Sequence, residues 1–274
     1  MAAEDGRLGD LRTRAVWGAG LGAAGAIPIL IGGWLAGLLV AAAAGAMGWE
    51  WRRVTLGPKF QPILGWMMAG AAAIGVLLAQ TGALGVALLY LLGAAAALAL
   101  LDRFERRSPL WSPLGLLTFG LAAACFIALR ESEPFGLETA LWIAGVVVAC
   151  DVGAYFAGRL VGGPKLWPRV SPSKTWSGLA GGMVLAALVG GLFSWATTGT
   201  YFQQVCTVSA IAAVVAQGGD LAESMFKRHF GVKDAGDLIP GHGGALDRLD
   251  GFCAATMVAA AVTYLRGGTP VFIW

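Results

Sequence analysis

Long apolar segments alternate with short charged segments along the whole chain, and this alternation limits what the chain can fold into. The predicted spans are 15–31, 34–49, 62–80, 83–101, 113–129, 138–158, 177–197, 203–222 and 251–266. A helix of about 20 apolar residues crosses a bilayer, and about 17 suffice where the bilayer is thin. Only 13% of the 274 residues are charged, against roughly 25% in soluble domains. We therefore predict an all-α, polytopic integral membrane protein with about nine transmembrane helices.

The distribution of basic residues supports this division independently. If the N-terminus is cytoplasmic, 17 of the 19 lysines and arginines fall on the cytoplasmic side, and only Arg130 and Arg266 fall outside. This bias is the one that orients membrane proteins. We predict a multi-pass protein of the cytoplasmic membrane, with the N-terminus in the cytoplasm and the C-terminus outside.

The predicted spans also divide the chain into two regions. Residues 1–135 contain about five transmembrane helices and only short connections. Residues 136–274 contain two long cytoplasmic loops, 159–176 and 223–250, which are rich in charge, glycine and proline. Long loops with this composition build functional sites more often than they serve as simple turns. We therefore expect the functional site in the second region.

The second of these loops, together with the end of the preceding helix, concentrates most of the polar chemistry. Six acids, four bases and both histidines lie within residues 220–250. Asp220 and Glu223 are one helical turn apart, and Asp247 and Asp250 repeat this spacing at the start of the next helix. Carboxylates that converge from two helix ends favour a hard cation such as Mg²⁺.

Basic residues and glycines in the same segment suit phosphate groups. The basic candidates are Lys227, Arg228, Lys233 and Arg248. Gly243 and Gly244, next to His242, allow the backbone to approach an anion closely. The alternative is a solvated loop whose basic residues only fix topology. That alternative does not explain Asp220 and Asp247, because a charge at membrane depth costs about 2.5–3.5 kcal/mol on insertion scales.

Asp151 forms a second polar centre inside a predicted helix. Apolar residues surround it in the sequence, and Tyr155 lies one turn away on the same face. Two roles stay open for Asp151: a structural hydrogen bond or ion pair, for example with Arg159 or Arg248, and a substrate or metal contact. In the loop that follows, Lys174 precedes a helix N-terminus, which favours anions. Ser171 as a nucleophile has weak support, since the sequence near it contains no base.

Taken in order, these motifs resemble those of the bacterial CDP-diacylglycerol synthases, also called phosphatidate cytidylyltransferases. The downstream motif is Ser224-x-Phe226-Lys227-Arg228-x4-Lys233-Asp234-x-Gly236-x2-Ile239-Pro240-x-His242-Gly243-Gly244-x2-Asp247-Arg248-Leu249-Asp250. The upstream motifs are Asp151-x-Gly153-Ala154-Tyr155-x2-Gly158-Arg159 and Ser171-Pro172-x-Lys174-Thr175-Trp176. The likeness is close over about 151–251 and rests on hydrophobicity and helix number before that. Asp237 departs from it, since asparagine is usual there.

The resemblance implies a reaction of CTP with phosphatidate that gives CDP-diacylglycerol and pyrophosphate and requires Mg²⁺. We assign Asp220 and Asp247 to the metal, with room for a second cation. We predict catalytic roles as well for Lys227, Arg228, Lys233 and Arg248. We predict substrate contacts from Asp151, Tyr155, Ser171, Lys174, His242, Gly243, Gly244 and Asp250. The resemblance also implies a homodimer; we expect membrane lipids around it and no nucleic acid partner.

Two alternatives from other classes stay open. In an ion-coupled transporter, Asp151, Asp220 and Asp247 would pass cations through the bundle, but the predicted outer side carries almost no charge. A related membrane nucleotidyltransferase or kinase could instead act on a polyprenol or an archaeal-type lipid. The sequence does little to distinguish this second alternative from a phosphatidate cytidylyltransferase, because acyl-chain recognition leaves no polar motif.

Overall fold

The computed structural model describes residues 25–238 and 243–274, and helices dominate this part of the chain. In chain order the helices are α1 (25–31), α2 (Gly33–Leu56), α3 (Pro62–Gln80), α4 (Leu84–Phe104), α5 (Trp111–Arg130), α6 (Gly136–Leu160), α7 (Trp176–Thr197), α8 (Phe202–His229) and α9 (Leu246–Leu265). A π-helical turn, Leu116–Gly120, interrupts α5. Each predicted span overlaps one of these helices.

Six of the helices, α3 to α8, are long and apolar enough to cross a membrane. Large apolar side chains cover their outer surfaces; Leu89 and Trp195, for example, are each 72% exposed. Water would solvate such a surface poorly, whereas lipid acyl chains match it. The chain is therefore a multi-pass membrane protein.

The predicted break in the first apolar segment is confirmed. The helical hydrogen bonding stops at Gly32, where φ is +79°, and α2 starts at Gly33, where φ is +60°. These left-handed conformations favour glycine. Side chains at the end of α5 cover the break: Arg130 donates to the carbonyl of Ile29, and Glu131 accepts from the N–H of Gly33. Residues 15–24 of the first predicted span lie outside the described residues.

α2 is longer than predicted, because two charged residues near its end are buried by the fold. The prediction ended this helix at residue 49, before a run of charged residues, but the helix continues to Leu56. Glu50 and Arg52 are 2% and 1% exposed. The guanidinium of Arg52 lies 3.0 Å from the carboxylate of Asp102 on α4. Charged side chains of a helix can be buried when each one has an ionic or hydrogen-bonding partner.

The loop predicted at 223–250 is shorter in the structure, because helices occupy both of its ends. α8 continues to His229, and α9 begins at Leu246. In these two turns Lys227 pairs with Glu223 and Asp247, and Arg228 and Arg248 are exposed. The two pairs of acids at i,i+3 spacing therefore lie on helices, where their positions are fixed by the packing of α8 against α9; they are Asp220, Glu223, Asp247 and Asp250.

The predicted all-α fold agrees with the structure, with one local addition in the loop at 159–176. Two short strands, β1 (Lys165–Trp167) and β2 (Ser171–Thr175), form an antiparallel hairpin there. Pro168 and Pro172 do not fit a helix interior, and the segment is too polar to be membrane-embedded. Extended pairing satisfies its backbone groups instead.

The packing order of the helices brings the polar segments to one end of the bundle. α7 packs against α6 and α8, and α8 packs against α9. α9 also contacts α2, α5 and α6. The C-terminal end of α8 and the N-terminal end of α9 therefore lie side by side, with the hairpin on one flank and α2 on another.

Candidate active site

Three carboxylates from α8 and α9 meet where these helices pack. Oxygens of Asp220, Glu223 and Asp250 lie within 4.8 Å of one another. Glu223 is buried, and its Oε1 has no hydrogen-bond partner in the described part of the chain. Buried polar atoms are normally satisfied, so this carboxylate oxygen is available to a ligand. An oxygen-only donor set of this kind fits a hard cation such as Mg²⁺. We call these three residues the acidic group.

Lys227 lies beside the acidic group and links it to Asp247. Its Nζ is 2.7 Å from Glu223 Oε2 and 2.7 Å from Asp247 Oδ1. Asp247 also accepts hydrogen bonds at Oδ2 from the backbone N–H groups of Ala235, at 3.1 Å, and Gly244, at 3.2 Å. Asp247, which the sequence assigned to a metal, therefore lies next to the acidic group and not among its three members. Its contacts tie the segment before α9 to the start of that helix.

Lys174 reaches the acidic group from the hairpin. Its Nζ lies 2.6 Å from Asp220 Oδ2 and donates to Gln217 Oε1 at 2.8 Å. Gln217 is 8% exposed and is a site residue that the sequence analysis missed. A single glutamine in an apolar helix has no motif spacing by which the sequence could reveal it. These contacts place a positive charge at the edge of the acidic group and dock β2 on α8.

A polar cavity of about 400 Å³ opens between α6, β2 and α8. Its polar lining includes Tyr155, Arg159, Ser173, Lys174 and Asp220. The guanidinium of Arg159 donates to the hydroxyl of Tyr155 at 2.9 Å. The cavity thus combines two cationic side chains with one member of the acidic group, which suits a phosphorylated, water-soluble ligand.

An apolar cavity of about 680 Å³ is lined by the other two members, Glu223 and Asp250. Its walls come from α2, α5, α8 and α9 and are mostly aromatic or aliphatic. Trp51 and Phe226 stack in this wall with ring centroids 3.7 Å apart. Because Asp220 lines the polar cavity and Glu223 and Asp250 line the apolar one, the acidic group lies between the two cavities.

Comparison with known proteins shows the family to which the chain belongs. The sequence profile of the cytidylyltransferase family matches residues 12–266. The chain belongs to this family. The phosphatidate cytidylyltransferase of Brucella suis biovar 1 is 38% identical over 232 residues, which cover 81% of this chain and 80% of that protein. The phosphatidate cytidylyltransferase of Bacillus subtilis is 39% identical over 140 residues, covering 51% of this chain and 52% of that protein.

The upstream motif of this cytidylyltransferase lies near the polar cavity. Asp151 on α6 is exposed and close enough to Asp220 and Lys174 to interact with them electrostatically. Ser171 begins β2, with its Oγ 3.5 Å from the Oγ of Ser173. Ser173 lines the polar cavity, whereas Ser171 is absent from the described residues that do so. The polar side chains that the motif contributes to this cavity include Tyr155, Arg159 and Lys174.

The downstream motif of the cytidylyltransferase includes both exposed and buried residues in the described part of the chain. Three of its basic side chains are exposed, namely Arg228, Lys233 and Arg248. Gly243 has a φ of +88°, which explains why glycine stands there. Gly244 is buried and donates to Asp247. His242 lies outside the described residues. Lys227 lies against the acidic group, with its Nζ 2.7 Å from Glu223 Oε2.

Proposed function

We propose that this chain is a phosphatidate cytidylyltransferase, which converts CTP and phosphatidate into CDP-diacylglycerol and pyrophosphate. The observation that carries the proposal is the acidic group between a polar cavity and an apolar cavity. Such a site gives one water-soluble and one lipid substrate access to the same carboxylates. The names of the curated relatives support the same reaction.

The two cavities suggest how the substrates divide. Lys174 and Arg159 give the polar cavity positive charge, which suits the triphosphate of CTP. The aromatic and aliphatic walls of the apolar cavity suit the acyl chains of phosphatidate. The lipid phosphate would then meet the α-phosphate of CTP at the acidic group, whose members line the two cavities.

The transfer needs little proton chemistry from the protein. An oxygen of the lipid phosphate forms a bond to the α-phosphorus of CTP, and the bond from that phosphorus to the bridging oxygen breaks. The leaving pyrophosphate takes the electron pair. Because the nucleophile is already an anion, no strong general base is required. The task of the side chains is to position two anions and to offset their repulsion, for which Lys174 and Lys227 are well placed.

The acidic group fits the Mg²⁺ that the family resemblance implies. Its oxygen donors come from Asp220, Glu223 and Asp250, and Glu223 Oε1 is buried without a partner among the described residues. Bound there, the cation would neutralise charge on the reacting phosphates. We therefore propose these three carboxylates as ligands. We propose that Asp247, through Lys227, holds Glu223 in place.

We also propose the topology with nine spans, the N-terminus in the cytoplasm and the C-terminus outside. The distribution of basic residues supports it, since this topology would place 17 of the 19 lysines and arginines on the cytoplasmic side. Reporter fusions after residue 135 and at the C-terminus should both report the outer side. A cytoplasmic C-terminus would show that one span is miscounted. The homodimer stays a prediction from the family resemblance.

The acceptor lipid separates this function from its closest alternative. Purified protein with CTP and Mg²⁺ should form a CDP-lipid from phosphatidate and none from a polyprenol or an archaeal-type lipid. The names of the curated relatives are the reason for expecting phosphatidate. Product from the polyprenol or archaeal-type lipid alone would assign the chain to the related transferase or kinase. Cation flux into proteoliposomes without any CDP-lipid would favour the transporter.

A further inference from the structure

Glu50 on α2 reaches the start of α9 although it lies 195 residues before Ala245 in the sequence. Its Oε1 accepts a hydrogen bond from the backbone N–H of Ala245 at 3.0 Å, and its Oε2 accepts one from Leu246 at 2.8 Å. α9 has no side-chain cap of its own. A carboxylate at this end satisfies N–H groups that lack helical partners and interacts favourably with the helix dipole.

The segment before α9 is shaped around this carboxylate. A Cβ on Gly236 would lie 2.7 Å from Glu50 Oε1, and a Cβ on Gly244 would lie 2.7 Å from Glu50 Oε2. Neither glycine has a positive φ, so the backbone conformation does not require glycine at these positions. Space requires it. The Glu50 side chain is 2% exposed and held by two hydrogen bonds, so it cannot move aside cheaply.

The same segment continues directly into the acidic site. Asp247 follows the two residues that Glu50 holds, and it pairs with Lys227 of α8. Asp250, one turn further along α9, belongs to the acidic group with Asp220 and Glu223. A displacement of the start of α9 would therefore move two carboxylates at once relative to α8.

We propose that Glu50 is a positioning residue for the acidic group. By fixing the start of α9, it sets the distance between Asp250 and the two carboxylates of α8. The N-terminal half of the chain thereby takes part in building a site whose sequence motifs all lie in the C-terminal half. The expected effect on CDP-lipid formation rests on the proposed function, whereas the expected effect on cation binding does not.

The test replaces Glu50 and measures binding of Mn²⁺, used in place of Mg²⁺, by electron paramagnetic resonance without substrates. Glu50→Gln keeps the shape but turns one acceptor oxygen into a donor that faces a backbone N–H. Glu50→Ala removes both acceptors. Both variants should lower Mn²⁺ affinity by about tenfold or more, since partners that orient metal ligands typically account for about 10- to 100-fold. The kcat for CDP-lipid formation should fall similarly, with little change in KM for CTP.

Asp102→Asn is the matched control. Asp102 is 1% exposed and also lies in the N-terminal half, but its described partners are Arg52 and Ser112. This variant loses the same buried charge, so its melting temperature should fall while its Mn²⁺ affinity stays that of the wild type. If Glu50→Gln and Glu50→Ala behaved in this same way, Glu50 would be a structural residue only and the inference would be overturned.

A double-mutant cycle with Gly236→Ala tests the geometry without depending on one variant. In the wild-type background the new methyl group collides with Glu50, so Mn²⁺ affinity should fall. In the Glu50→Ala background the collision is absent, and the second change should have little further effect. Strictly additive effects would contradict the inference. If the wild-type protein forms no CDP-lipid while this coupling persists, the proposed function fails and the positioning role stands.

Discussion

Asp250→Asn and Glu223→Gln are each expected to lower the rate of CDP-diacylglycerol formation by at least about 100-fold. Loss of a residue that only contacts a metal ligand typically lowers affinity or activity by about 10- to 100-fold, and loss of a ligand itself should cost at least as much. Each amide keeps the shape of the acid but removes its negative charge. Asp220→Asn should behave alike, since the three residues form one acidic group. The measurement is a Mg²⁺ titration of turnover on purified protein, together with the melting temperature of the same preparation in detergent.

Asp237→Asn is the matched control for these variants. Asp237 lies in the segment between α8 and α9 and is exposed. The change removes the same charge, and asparagine is the residue usual at this position in the resembling family. Activity and its Mg²⁺ dependence should therefore stay near those of the wild type. If the acidic-group variants keep more than a tenth of the wild-type rate, a loss below about 1.4 kcal/mol, the metal assignment fails.

Asp247→Asn distinguishes the assignment made from the sequence from the one made from the structure. If Asp247 only holds Lys227 and the segment before α9, this variant should lose thermal stability and part of its activity but keep most of its Mn²⁺ affinity. Asp250→Asn should instead lose that affinity. Equal loss in both variants would return Asp247 to the set of metal ligands.

Lys227→Met is expected to have the largest effect on stability. Lys227 Nζ contacts both Glu223 and Asp247 at 2.7 Å, and these carboxylates are only 6% and 12% exposed. Removing one partner of a buried ion pair typically destabilises a protein by about 3–5 kcal/mol, because an uncompensated charge remains. Here two carboxylates would lose their cation. The melting temperature in detergent should fall sharply, and activity should fall with it.

An exposed lysine provides the comparison for this variant. Lys59 lies in a short 3₁₀ turn after α2 and is exposed, so Lys59→Met removes a lysine charge without leaving a buried acid. Its melting temperature should stay within the small range typical of surface changes, about 0.5 kcal/mol in stability. A Lys227→Met protein as stable as this control would show that the two ion pairs contribute nothing measurable.

The order of the helices was predictable because it depends on local sequence. Apolar length defines a helix that can cross a membrane, and paired glycines at Gly32 and Gly33 define a break. The ends of α2, α8 and α9 were not predictable in the same way. They depend on partners from other helices, such as Asp102 for Arg52, and a local pattern of charged residues is more typical of a loop.

The candidate site was predictable only in part, for a similar reason. The i,i+3 spacing correctly indicated that Asp220 and Glu223 share a face, but it could not indicate which acid of α9 faces them. The structure brings Asp250 to that position and turns Asp247 toward Lys227. Glu50 could not be identified, because its contacts lie 195 and 196 residues away and its neighbours suggest the end of a span.

The most direct test of phosphatidate cytidylyltransferase activity follows two labels in CTP. Purified protein is incubated with phosphatidate, Mg²⁺ and CTP labelled at either the α- or the γ-phosphate, and the lipids are then extracted. We predict that the α-label enters the lipid as CDP-diacylglycerol and that the γ-label appears in an equal amount of pyrophosphate. Transfer of the γ-label to lipid would instead indicate a kinase, and no lipid label from either position would contradict the account.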